Sequence, residues 1–165
     1  MAVEFSFDIV SRVEYNLVEE GIVNAEREIV NRYDFKGTNS LIELDKKNNC
    51  ITLVSSDEYK VKALYEVLLN KFSKRGVPLK NFQPQKIESS LGGRARQLVK
   101  IQQGIPQEKA REIVKEVKNA RFKVNSSIKG DTIRIASRSK NELQSVISHL
   151  RGKDFGVALQ FVNYR

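Results

Sequence analysis

The chain spells one order of elements twice: strand, helix, strand, strand, helix, strand. "VEFSFDIVS" (3–11) alternates, with Val3, Phe5, Phe7 and Ile9 on one side and Glu4, Ser6 and Asp8 on the other, the period of a half-buried strand. Ser11 and Glu14 have capping-box spacing, and Val13, Leu17, Ile22, Ala25, Ile29 and Tyr33 then recur at helical intervals. "SLIEL" and "CITLV" read as strands joined by a polar turn. A second helix, opened by Ser55 and Glu58, is expected to bury Tyr59, Ala63, Leu64, Val67, Leu68 and Phe72. Gly76 and Pro78 end it. "NFQPQKIES" is a weaker strand whose Pro84 favours a sheet edge or a bulge.

From "RQLVKIQ" the order starts again. Pro106 suits a first helical turn, and Ala110, Ile113, Val114 and Val117 form that helix's inward set. "FKVNSSI" and "TIRIAS" make a hairpin around Gly130. Ser139 and Glu142 open a last helix with Leu143, Val146, Ile147 and Leu150 inward, and "ALQFVNY" closes the chain as a strand. Two βαββαβ halves follow, 1–91 and 92–165. Each has the length of a ferredoxin-like module, an antiparallel sheet with two helices on one face. The expected class is therefore α+β, two such domains in tandem, with Gly92-Gly93 as hinge or crossover.

Other features bound the function. No apolar run approaches the ~20 residues of a membrane span, and the N-terminus lacks a signal-peptide pattern. The single cysteine, Cys50, cannot form an internal disulfide. A cytoplasmic bacterial-type protein is expected. Charge is uneven along the chain. Residues 1–91 hold 13 Lys+Arg and 14 Asp+Glu, whereas 92–165 hold 16 and 6. An excess of that size attracts polyanions, nucleic acid or phosphorylated nucleotides among them.

Catalytic patterns are missing. The single histidine, His149, falls beside an inward helical set and is expected to face solvent, with nothing nearby to make it a general base. No His/Cys cluster has metal spacing, and neither GxxxxGK[ST] nor GxGxxG occurs. No cofactor, metal or catalytic residue is assigned. The order of elements suggests an RNA-recognition motif, yet its base-stacking aromatics are absent from "CITLV" and "TIRIA". Basic clusters remain. Lys123, Lys129, Arg134, Arg138 and Lys140 come from one hairpin and the helix start after it, where free amides favour a phosphate. "NRYDFKGTN" (31–39) alternates Arg32, Asp34 and Lys36 with Tyr33 and Phe35. Tyr33 continues the inward helical set and reads as core, with Phe35 as a plug. Arg32, Asp34 and Lys36 are the charged groups such a plug would present.

"SFDIVS", "RYDFKG", "KVNSSIKGDTIRI", "ELQSVI" and "LRGKDFGVALQFVNYR" together resemble the YajQ family of bacterial proteins, over essentially the whole chain. The resemblance implies tandem ferredoxin-like domains whose first strands are exchanged. "FSFDIVS" would then complete the second sheet and "RQLVKIQ" the first. It also implies a cytosolic, non-enzymatic protein that binds nucleic acid (tRNA included), a purine nucleotide or cyclic di-GMP. Where relatives carry Thr-Gly-Lys near residue 137, this chain has Ala136-Ser137-Arg138. The expected nucleotide-binding residues are Arg32, Asp34, Lys36, Lys129, Arg134, Arg138 and Lys140. The alternative is a regulator, for example of transcription, that binds another protein, with nucleotide as its allosteric ligand.

Overall fold

The computed structural model describes residues 3–165. Among them are two antiparallel sheets and four helices, the expected mixed architecture of tandem ferredoxin-like domains. In chain order the elements are β1 (Phe5–Val10), α1 (Tyr15–Asn31), β2 (Leu41–Asp45), β3 (Cys50–Ser55), α2 (Glu58–Lys74), β4 (Phe82–Pro84), β5 (Glu88–Ser89) and β6 (Ala95–Ile101). Then come α3 (Gln107–Asn119), β7 (Asn125–Lys129), β8 (Thr132–Ser137), α4 (Lys140–Arg151) and β9 (Gln160–Val162).

The chain divides into two compact units that do not follow sequence order. One is residues 13–102; the other joins the N-terminal residues through Arg12 to 103–165. In the first, the strand order is β2-β3-β6-β4, with β5 also paired to β6. In the second it is β7-β8-β1-β9. Thus β1 pairs with β8, placing Phe7 opposite Ile135, while β6 pairs with β3, placing Val99 opposite Ile51. Both β1 and β6 are inner strands, so their inward positions (Phe7 and Ile9; Ala95, Val99 and Ile101) are buried. Pro84 ends the short edge strand β4, where no partner needs the missing N–H.

The core of 13–102 is built on Val18, Ile51, Leu53, Leu64, Leu68 and Phe72, all fully buried. The Phe72 ring stacks on Phe82 at 4.9 Å and 20°. Its edge also lies so close to Gly21 that a Cβ there would stand 2.5 Å from a ring carbon. Gly21 is therefore what lets α1 and α2 approach. Gly76 (φ +74°) takes the left-handed turn after α2, with its N–H donating to the Ser73 carbonyl and that of Val77 to Phe72. The core of the other unit centres on Phe7, Ile9, Ile113, Ile133, Ile135 and Leu150.

Several sequence expectations fail locally. Ser11 is buried and its carbonyl accepts from Gly104 N–H at 2.7 Å; α1 begins after Glu14, without a side-chain cap. Ser55 is the buried last residue of β3, bonded through its hydroxyl to Ser40, so Asp57 caps α2 by accepting from Lys60 N–H at 2.8 Å. Only Ser139 caps as its spacing suggests, accepting from Glu142 N–H at 3.2 Å. Tyr33 is not core. Helix α1 stops at Asn31, Arg32 adopts an extended conformation, and the following 3-10 turn leaves Tyr33 89% exposed while burying Phe35. Tyr59, in the first turn of α2, is likewise exposed, Val114 is only half-buried, and Val3 precedes β1 in the open. His149 does not face solvent: it is half-buried, 2.8 Å from Glu116 and edge-on to Phe122.

Candidate functional site

Most of the sequence-selected cations fall in the unit containing β1. Two sit at the start of α4. Ser137 ties this entry down, donating to the Lys123 carbonyl at 2.9 Å and accepting from Ser139 N–H at 3.1 Å. Arg138 is exposed on the outside of that turn, and Lys140 is the first residue of the helix. The Lys140 ammonium lies over the Phe5 ring, 4.8 Å from its centre. Capping by Ser139 leaves the Lys140 and Asn141 amides, ahead of Glu142, without intrahelical acceptors, so the helix start carries partial positive charge.

Lys140 and Phe5 share a cavity of about 280 Å³ with Leu143, Ile147, Tyr164 and Arg165. The floor is apolar, one wall is aromatic, and two cations stand at the rim. Tyr164 reaches it through a break in strand alternation. Asp8 pairs with Val162, but Ser6 exchanges backbone hydrogen bonds with Arg165, one residue beyond regular register. This bulge forms where Asn163 takes φ +57°. Asn163 thereby turns to donate to Asp8 at 2.9 Å, and Tyr164 turns to the helix side, 6.1 Å from the Phe7 ring and 58% exposed. Periodicity alone assigns Tyr164 to the wrong side; the signal that could have flagged it is Asn163, a residue tolerant of the left-handed region.

Arg134 has a different environment. It lies opposite Asp8 in the β1–β8 register and donates through Nε to Asp8 Oδ1 at 3.1 Å. Burial by itself raises the Asp8 carboxyl. Hydrogen bonds from Asn163 and Arg134, with the nearby Arg134 and Arg165 charges, outweigh that and hold it below its ordinary value. Arg134 is therefore committed to a structural ion pair. Lys129 is exposed at the far end of β7, beside the Gly130 turn.

Arg32, Asp34 and Lys36 belong to the other unit. The Arg32 guanidinium donates to both Asp34 oxygens (3.0 and 2.7 Å) and to Glu28 Oε2 (3.1 Å), and lies 5.1 Å from the buried Phe35 ring. The hydrogen bond from Arg32 holds the Asp34 carboxyl below its ordinary value. Lys36 is exposed beyond the turn. The aromatic-plug reading of 31–39 fits Phe35, while its Arg and Asp satisfy each other. Among the described residues, no three His, Cys, Asp or Glu side chains converge as metal ligands would. No helix among them is long and apolar enough to cross a membrane.

The model of the family described as "Nucleotide-binding protein YajQ-like" matches residues 5–165. The chain belongs to the YajQ family. A protein of Elusimicrobium minutum named "Nucleotide-binding protein" is 59% identical over 98% of this chain and 99% of its own. Proteins of the same name from Solibacter usitatus and Carboxydothermus hydrogenoformans are 47% and 45% identical. The first alignment covers 97% of this chain and 96% of the relative, the second all of both.

Proposed function

We propose that this YajQ-family chain is a non-enzymatic nucleotide-binding protein of the cytoplasm that holds a base and its phosphates at the Phe5–Tyr164 cavity. The observation that carries the reading is the meeting of exposed Tyr164 with Lys140 and Arg165 in one opening. A base has an apolar face to stack and a charged tail to neutralise, and this cavity offers both. Tyr164 is the stacking surface, since the Phe5 face is already covered by the Lys140 ammonium. Lys140, Arg138 and the free amides at the start of α4 receive phosphate. The cavity is small beside the ~300–1,000 Å³ usual for whole ligands. It therefore suits one base of a larger molecule, a dinucleotide or an RNA strand, as well as a mononucleotide. The names carried by the relatives support nucleotide binding.

Nucleic-acid-free protein is titrated with GTP, cyclic di-GMP and tRNA at two salt concentrations. Tyr164→Ala is expected to weaken the bound species about tenfold, within the ~1–3 kcal/mol of a base–aromatic stack. Arg138→Ala with Lys140→Ala should weaken RNA regardless of sequence and flatten its log–log salt slope by about one to two units. Unchanged affinity in both variants overturns the reading.

One observation favours a second reading, a protein-binding regulator with nucleotide as its effector. Leu41 stands opposite Val54 on the helix-free face of the β2-β3-β6-β4 sheet, with Leu98 diagonal to them on β6, and Leu41 is 46% exposed. Leu41→Glu would abolish partner capture while leaving nucleotide titrations unchanged.

A further inference from the structure

The near-neutral half of the sequence holds the larger concavity, about 580 Å³, formed by the outer faces of α1 and α2. These helices run antiparallel: Glu20 meets Arg75, and Glu28 meets Lys71. From α1 come Asn24, Arg27 and Glu28; from α2 and the residue that ends it come Lys71, Lys74 and Arg75. Each set is spaced i, i+3, i+4, so each is one stripe of its helix, and the two stripes line one groove. Four cations share it with a single carboxylate.

That carboxylate is already spent. Glu28 accepts from Lys71 Nζ at 2.9 Å and from Arg32 at 3.1 Å, and these two hydrogen bonds hold it ionised below its ordinary range. Arg75 leans on Glu20 at 3.2 Å. Arg27 and Lys74 are exposed and carry no ion pair among the described residues. Lys74 and Arg75 complement the negative end of α2, which is sufficient reason for them alone. Arg27 has no such role: it lies a full turn before the end of α1. A groove that collects unpaired cations focuses positive potential. It has no aromatic wall, so it recognises phosphate and not base.

We propose that the α1–α2 groove is a second anion site, which takes a run of adjacent phosphates whether they belong to a nucleoside polyphosphate or to an RNA backbone. The site is independent of the Phe5–Tyr164 cavity. Its distinguishing property is that inorganic tripolyphosphate, with no nucleoside, suffices to fill it.

The test is calorimetric titration of the full chain with tripolyphosphate. Arg27→Ala with Lys74→Ala, both surface changes to a good helix former, should weaken binding at least tenfold. Lys46→Ala with Lys47→Ala, exposed cations that line neither site, should leave it unchanged. Glu28→Gln should tighten it severalfold by removing the one negative charge, a gain that an unfolded variant cannot mimic. Repeating the Arg27/Lys74 comparison with GTP and with a single-stranded homopolymer RNA identifies the source, because only the true ligand loses affinity. The proposal is overturned if wild type binds tripolyphosphate more weakly than about 1 mM. It also fails if the Arg27/Lys74 variant binds as wild type does, or if the Lys46/Lys47 variant loses as much.

Discussion

The two units share one plan, two helices on one face of a four-strand path, yet expose opposite chemistries. The unit containing β1 offers an apolar cavity with an aromatic wall and cations at the rim. Residues 13–102 offer a groove of amides and charges without an aromatic. The charge balance of the units differs from that of the sequence halves as well. Residues 13–102 contain 15 Lys/Arg and 12 Asp/Glu; the remainder contains 14 and 8. The difference of −1 against +10 between sequence halves becomes +3 against +6 between units, largely because β6 and the residue before it bring Arg94, Arg96 and Lys100 into the less basic one. Linear charge counts mislead when a sheet takes its inner strand from elsewhere in the chain.

The largest effect should come from cutting between Gly92 and Gly93. The N-terminal piece loses β6 from between β3 and β4, and the C-terminal piece loses β1 from between β8 and β9. Neither fragment should unfold cooperatively, whereas residues 13–102 alone should. Sigmoidal melts from both halves of the cut chain would break the comparison.

Within 13–102, Phe35→Ala should cost about 3–5 kcal/mol, since it empties a buried aromatic site. Gly21→Val should cost about 1–3 kcal/mol by driving a side chain into the Phe72 ring. Tyr33→Ala, two residues from Phe35 and exposed, should stay within about 0.5 kcal/mol. Urea midpoints order the three; a large loss from Tyr33→Ala would return that ring to the core.

The smallest effect is in acid. The carboxyls of Asp8 in one unit and Glu28 in the other lie below their ordinary values. A lowered carboxyl supplies stability above its unfolded-state value and loses it as pH falls through the folded one. Asp8→Asn should therefore make the loss of stability below about pH 4 shallower, as should Glu28→Gln. Denaturation midpoints between about pH 3 and 6 measure both slopes. Slopes identical to wild type would mean that neither carboxylate contributes.

Most of the fold was legible because its signals are local. Alternation marks β1, β3, β6 and β8, and helical spacing marks all four helices. Cap residues were less legible: Ser11 and Ser55 have the right spacing to Glu14 and Glu58 but are buried by neighbouring strands. Tyr33 fits the helical stripe, but the helix ends before reaching it. At the site, Lys140 and Arg138 could be chosen from charge and position, while Tyr164 depends on a bulge and Phe5 is hidden in the apolar alternation of β1. The α1–α2 groove was hidden for another reason. Arg27 sits between Glu26 and Glu28, and its partners Lys71, Lys74 and Arg75 come more than forty residues later, so linear averages miss what the pairing of two helices brings together.

The position of β1 also sets a timetable. It leaves the ribosome well before its partners β8 and β9, which follow more than 120 residues later. At ~5–20 residues per second, Phe5 and Phe7 wait roughly 6–25 s for β8 and longer for β9. Residues 13–102 have every strand of their sheet long before then. One unit can therefore fold during synthesis, while the other keeps an apolar, aromatic strand unpaired until β8 and β9 have been made. In that interval the nascent chain depends on chaperones or on speed.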